Sequence, residues 1–216
     1  MPHNRVGYAQ SALDNDYGAV LVGAQFVGCN GVDGIALSDI TPKAGELTAA
    51  ELAGSIEIQT LDNAGRTVDS YIWNGEGWEG DEGKVFEPGC GFSVVNSVGN
   101  SDAVALQSTG KVSTSDVVVA LDTEYGATYV ANTFPVKVAL ADLVPECESL
   151  TAEELAGSIE IQTVDNAGLT VDSFIWNGEG WEGDDNTTFA AGAGLSVINS
   201  IGAAPAVFLR IPAPEL

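Results

Sequence analysis

Apolar and polar residues alternate along much of this chain with the period of a strand. In "SIEIQT" (55–60) Ile56 and Ile58 alternate with Glu57 and Gln59, which predicts a strand with one buried face. "LDNAGRT" (61–67) supplies turn residues and "VDSYIW" (68–73) runs back, so the two runs predict a β-hairpin. "FSVVNS" (92–97) and "AVALQS" (103–108) predict a second hairpin, and "VGYAQSAL" (6–13) and "AVLVGAQF" (19–26) read as the opening strands. One stretch reads differently. In "LTAAELAG" (47–54) Thr48 and Glu51 have the spacing of a capping box and Gly54 supplies a stop, so a short helix is expected there.

The pattern occurs twice. Leu47–Asp81 and Leu150–Asp184 align over 35 positions and differ at four: Ala50/Glu153, Leu61/Val164, Arg66/Leu169 and Tyr71/Phe174. Upstream, "YGAVLVGAQF" (17–26) matches "YGATYVANTF" (125–134), with extra residues of the first copy falling in "VGCNGVDG" (27–34). An internal repeat sets the architecture. The expected fold is all-β: two tandem homologous β-sandwich or barrel-like domains, 1–110 and 111–216, each with one short helix.

"YIWNGEGWEG" (71–80) and "FIWNGEGWEG" (174–183) are the most conspicuous shared strings. Asn-Gly is a strong tight-turn signal because both residues tolerate positive φ. Tryptophans five residues apart can clamp such a turn against a core. On this reading the string is a turn made once per copy and needs no ligand.

Charge narrows the functional classes. The chain has 31 Asp+Glu against 7 Lys+Arg, a net charge of −24, spread over both halves. Such a field repels phosphate backbones and anionic membranes, so neither nucleic acid nor a membrane is an expected partner. "MPHNRVGYAQ" (1–10) has no apolar targeting run, so export is expected either with a leader already removed or by another route, as for virion proteins. The single histidine, His3, lies outside the repeat, so Ser-His-Asp and Cys-His catalysis and His/Cys metal sites are not expected. Cys29, Cys90 and Cys147 have no cysteine counterparts in the other copy, which points to small thiols rather than a duplicated disulfide or zinc site.

Carboxylates are the remaining candidates. Glu76, Glu79, Asp81 and Glu82, with Glu179, Glu182, Asp184 and Asp185, crowd short loops and are candidate calcium ligands, although their spacing is not that of an EF-hand. The alternative is a solvated acidic loop. A glycosidase would need two carboxyls across a cleft. Glu76 and Glu79 beside Trp73 and Trp78 have the composition for one, but sit in a Gly-rich loop with little to raise a pKa. Trp78 and Trp181 are candidate glycan platforms, whereas the strand pattern assigns Trp73 and Trp176 to the core.

The copies also differ on selected surfaces, by neutral drift in loops or by selection for a contact. Ala9, Gln10 and Ser11 become Val117, Val118 and Val119; Arg66 becomes Leu169; Asn100, Ser101, Asp102 and Ala105 become Ala203, Ala204, Pro205 and Phe208. Lost polarity on selected surfaces of a very acidic protein points to a contact, either with the first copy or with a neighbouring subunit. Tandem duplication favours ordered assemblies through heterologous contacts.

"YGATYVANTFPV" (125–136), "ELAGSIEIQTVDNAG" (154–168), "FIWNGEGW" (174–181) and "FAAGAGLSVIN" (189–199) resemble β-rich repeat modules of large secreted and surface-displayed bacterial proteins. That resemblance implies extracellular building material and carries over no catalytic residues. The expectation is a non-enzymatic subunit without a resident cofactor that associates with itself into a filament, surface layer or virion coat, outside the cell or on a particle surface. The rival expectation is an adhesin-like module binding carbohydrate or calcium.

Overall fold

Period-2 patterning becomes strand throughout the structure, a computed structural model that describes residues 6–13, 18–25, 34–80, 83–98, 103–123, 126–183, 186–201 and 205–214. The first copy contributes β1 (Val6–Ala12), β2 (Gly18–Gly23), β3 (Ile35–Ala36), β4 (Ile40–Ala44), β5 (Ile56–Leu61), β6 (Thr67–Trp73), β7 (Trp78–Glu79), β8 (Val85–Phe86), β9 (Gly91–Asn96) and β10 (Val104–Lys111). The second contributes β11 (Val117–Ala120), β12 (Ala127–Ala131), β13 (Val138–Ala139), β14 (Val144–Cys147), β15 (Ile159–Val164), β16 (Thr170–Trp176), β17 (Trp181–Glu182), β18 (Thr188–Phe189), β19 (Gly194–Asn199) and β20 (Val207–Ile211). The chain is all-β, with antiparallel ladders and no α-helix among the described residues.

The strand orders of the two copies are the same. The first forms β1-β10-β4, β2-β9-β5-β6-β7 and β3-β8; the second forms β11-β20-β14, β12-β19-β15-β16-β17 and β13-β18. Each sheet draws all its strands from one copy. The buried apolar side chains follow suit. One cluster runs from Leu13 to Leu106 and includes Ile56, Ile58, Phe92 and Val94, and a second runs from Val117 to Ile211. Each cluster takes side chains from both the three-stranded and the five-stranded sheet of its copy, so the apolar faces of those sheets share one core.

Two expectations fail. Residues 47–54 and 150–157 form turns, not helices. The capping box does close: Thr48 N–H donates to Glu51 Oε2 at 2.9 Å, and Thr151 N–H to Glu154 Oε2 at 2.8 Å. Propagation stops within a turn because the Gly54 and Gly157 N–H groups donate instead to the carbonyls of Trp73 and Trp176, both at 2.7 Å. The only helical turns described are 3-10 segments at Leu37–Asp39 and Leu140–Asp142. The second predicted hairpin is also absent. β9 pairs with β2 and β5, whereas β10 pairs with β1 and β4 in the other sheet. Phe92 and Val94 therefore share a core with Val104 and Leu106 from separate sheets instead of lying beside them.

The copies meet through reciprocal contacts. Ala19 N–H donates to Asn166 O at 3.0 Å, and the equivalent Ala127 N–H donates to Asn63 O at 2.8 Å. Gly23 N–H reaches Gly192 O at 3.1 Å, and Ala131 N–H reaches Gly89 O at 2.9 Å. Isolated bridges join Val22 to Ala193 and Val130 to Cys90. Each of these backbone contacts is matched by its counterpart with the copies exchanged, which defines an internal pseudo-two-fold with the reciprocity of an isologous interface. Gly23 and Ala131, equivalent in sequence, face each other so closely that a Cβ on Gly23 would overlap that of Ala131.

Candidate functional site

The duplicated string folds as a turn in both copies. Asn74 N–H donates to Gly77 O at 2.9 Å, and its Oδ1 accepts the N–H groups of Glu76 (3.0 Å) and Gly77 (2.9 Å). Asn177 does the same with Glu179 and Gly180. Gly75 has φ +100, a conformation a side chain would strain. The turn pairs Trp73 with Trp78 edge-to-face at 5.4 Å, and Trp176 with Trp181 at 5.3 Å. Each indole N–H is tied to a distant backbone carbonyl: Trp73 to Ala49, Trp78 to Ile40, Trp176 to Ala152 and Trp181 to Leu143, at 2.8–3.0 Å. These bonds pin the upstream turns and the 3-10 segments to the sheet. Trp181 is buried and Trp78 half-buried, so neither ring is an open platform. A small hollow of about 170 Å³, lined by Ser38, Thr41, Glu76 and Trp78, lies beside the turn of the first copy.

Of the acidic candidates, Glu76 and Glu179 sit in the turns, and Glu79 and Glu182 pair with Ile72 and Ile175 on the short return strands. Asp81, Glu82, Asp184 and Asp185 lie outside the described residues. Among the described residues no group of three or more His, Cys, Asp or Glu side chains converges as a metal site. Cys90 and Cys147 are free thiols, burial pushing that of Cys90 up, and Cys29 lies outside the described residues.

The apolar positions of the second copy separate by role. Val117 belongs to the core of its own copy and Val119 packs against that core. Both also close on Gly89 of the first copy, where an added Cβ would collide with Val119 and lie 2.9 Å from Val117 Cγ1. At the equivalent place across the pseudo-axis, Gly192 meets Gln25 and Ser11. Val118 and Leu169 point into solvent, Pro205 and Phe208 are half-buried, and Ala203 and Ala204 lie outside the described residues.

A cleft of about 660 Å³, not foreshadowed by any sequence motif, lies on the pseudo-axis between the outward faces of the two five-stranded sheets. Its walls mirror each other: Gln59, Thr67 and Ser93 on one side, Gln162, Thr170 and Ser196 on the other. On the first wall Thr67 Oγ1 donates to Gln59 Oε1 (3.1 Å), Gln59 Nε2 donates to Glu57 Oε1 (2.7 Å), and Ser70 Oγ donates to the same carboxylate oxygen (2.6 Å). On the second wall Thr170, Gln162, Glu160 and Ser173 form the same chain at 3.2, 2.6 and 2.6 Å. Two pairs of equivalent lining positions differ: Leu61 and Val164, both aliphatic, and Leu21 and Tyr129, which change the character of the wall. Burial, and then the nearby Asp62 carboxylate, push the Tyr129 phenol above its ordinary range. Each end of the cleft is bounded by a hairpin tip, beyond which lies a further hollow of about 650 Å³ on one side and 500 Å³ on the other. Sequence reasoning missed Gln59 and Gln162 because alternation assigned them to a solvated face. Identity between the copies does not single them out, because nearly the whole of the surrounding block is identical.

Comparison with known protein families, with curated proteins and with solved structures finds no match to this chain.

Proposed function

We infer that the chain is a non-enzymatic structural subunit, two tandem β-sandwich domains at 1–110 and 111–216, that associates with further copies of itself into an extracellular or particle-surface assembly. The observation that carries this reading is a mirrored pair of apolar strands near the sheet margins. β7 covers only Ile72 and Trp73 of β6, so Thr67–Ser70 has no strand on that side among the described residues; Thr170–Ser173 of β16 is the same. Val68 and Ile72 on β6, and Val171 and Ile175 on β16, are exposed, the two valines at 62% each. A strand that leaves both backbone positions and aliphatic side chains open is a template for strand addition.

The two margins differ in their charged residues. Beside β6 stand Arg66, paired with Asp62 at 2.7 Å, and Lys84, paired with Asp69 at 3.6 Å. Beside β16 the same positions hold Leu169 and Thr187, next to Asp172. The two margins are thus distinct surfaces, and the contact proposed is heterologous, β6 of one molecule against β16 of the next, which propagates. Val118 and Leu169 enlarge the apolar surface of the second copy.

Negative-stain electron microscopy and sedimentation of the purified chain test the proposal, with calcium and with a chelator. Ordered filaments, sheets or shells are expected, dispersed by Val68→Lys with Val171→Lys. Dispersal by chelator alone would assign calcium to the acidic loops. A chain that sediments as a monomer in every condition refutes the reading.

A further inference from the structure

We propose that the cleft on the pseudo-two-fold binds a neutral polyhydroxylated chain, a short oligosaccharide, held between the two glutamine-centred walls. This does not rest on self-association and uses none of the tryptophans.

Charge comes first. The protein carries 31 acidic side chains, yet among the described residues lining the cleft Asp165 is the one charged group. Its Oδ1 already accepts the N–H groups of Ala167 (2.9 Å) and Leu169 (2.8 Å). Behind the glutamines, the Glu57 and Glu160 carboxylates are likewise engaged, each accepting from a glutamine and a serine. A cationic ligand would thus find carboxylates already holding hydrogen bonds and spread over separate walls, whereas hard cations need several converging oxygens. An anion would meet no countercharge inside and a net charge of −24 outside. A neutral ligand incurs neither penalty.

Hydrogen-bonding capacity comes second. A side-chain amide offers two N–H donors and two acceptor lone pairs. Gln59 and Gln162 each spend one donor on a glutamate and one lone pair on a threonine, and these bonds fix how the amide points. Each therefore presents one donor and one acceptor from a pre-oriented group. Thr67 and Thr170 keep their hydroxyl lone pairs. That alternation of donor and acceptor suits sugar hydroxyls, which do both. Tyr129 on one wall and Leu21 on the other add the apolar contact that sugar ring faces need.

Shape comes third. The volume lies within the range of ligand sites, and the hollows beyond both hairpin tips give an elongated ligand room at either end. An extended peptide fits less well, because peptides are read through backbone bonds to a sheet edge. This cleft is walled by sheet faces, and the edges of β2 and β12 are already engaged by Asn166 and Asn63.

The test is amide NMR on the intact 216-residue chain. Cellotriose, chitotriose, maltotriose and mannotriose are titrated in turn, with tri-galacturonate as the charged control and an eight-residue Gly/Ser peptide as the polymer control. At least one neutral trisaccharide should move the side-chain NH₂ resonances of both Gln59 and Gln162 with saturation. Gln59→Ala with Gln162→Ala should weaken that binding about tenfold or more, as expected when one bond is lost from each wall. Tyr129→Leu, which installs the first copy's residue, should weaken it while leaving the fold intact. Silence of both glutamines towards all four sugars at about 20 mM overturns the proposal. So does a response confined to the Trp78 hollow, or a stronger response to the peptide or to tri-galacturonate.

Discussion

The sharpest contrast at the scale of single residues is between Ser11 and its counterpart Val119. Ser11 Oγ accepts a 2.9 Å bond from Gln25 Nε2, and Gln25 is 3% exposed with its Oε1 lacking a partner. The second copy places Val119 and Thr133 at the equivalent positions, so it buries less polarity there. Ser11→Val should strand the Gln25 amide and destabilise the chain by about 1–3 kcal/mol, the cost of a buried polar group left unbonded. Adding Gln25→Thr, which completes the second copy's pair, should restore most of the loss. Urea denaturation of the single and double variants measures both, and a double variant no more stable than the single would refute the pairing. Asn132 shows the opposite development. Its Nδ2 donates to the carbonyls of Val136, Phe189 and Ala190, fastening "ANTF" to the β18 corner, where the first copy has Ala24.

At the level of elements, the β5–β6 hairpin does more than its sequence announces. Its tip closes on Asp62, whose Oδ1 accepts the N–H groups of Ala64 and Arg66, both at 2.9 Å. Bonds from the Arg66 backbone and then its side chain hold the Asp62 carboxyl below the usual aspartate range. A depressed carboxylate contributes stability that is present above the unfolded pKa and lost as pH falls through the folded one. The Arg66 amide resonance should therefore stay fixed down through the ordinary carboxylate range and move only in stronger acid. Asp62→Asn should abolish that step, and an Arg66 amide titrating with the bulk of the carboxylates would refute it.

The hairpin itself was legible because Ile56 and Ile58 set a period and the turn residues set its end. The partner of β9 was not legible. Alternation states that a strand has an apolar face, but two successive apolar-faced strands satisfy it equally side by side or stacked across a core. "GNSD" has the composition of a turn and of a crossover alike. The helix expected at 47–54 failed for a related reason: Thr48 and Glu51 supply the start, but propagation depends on backbone groups that the Trp73 carbonyl diverts. The duplicated tryptophan turn was readable as architecture, because Asn-Gly and paired indoles are local chemistry. The cleft was not, since no local pattern places Gln59 and Gln162 on the walls of one cleft.

The whole molecule is governed by the pseudo-two-fold. Gly23→Val would drive a side chain into Ala131, and overpacking of that kind costs about 1–3 kcal/mol. Hydrogen exchange read by mass spectrometry should show β2 and β12 losing protection together while the strands of both cores keep theirs. Equal loss everywhere, or none, would mean that the reciprocal bonds do not hold the copies as a unit. The same reciprocity bears on synthesis. β2 hydrogen-bonds with Asn166 and Gly192, residues that leave the ribosome long after β2 itself. At roughly 5–20 residues per second the first copy waits on the order of ten seconds with that edge uncovered. Throughout that interval a neighbouring nascent chain, already displaying its own first copy, competes for the position that the second copy will occupy. Crowded polysomes would thus favour swapped pairs over correctly closed monomers, and slowing initiation would favour closure.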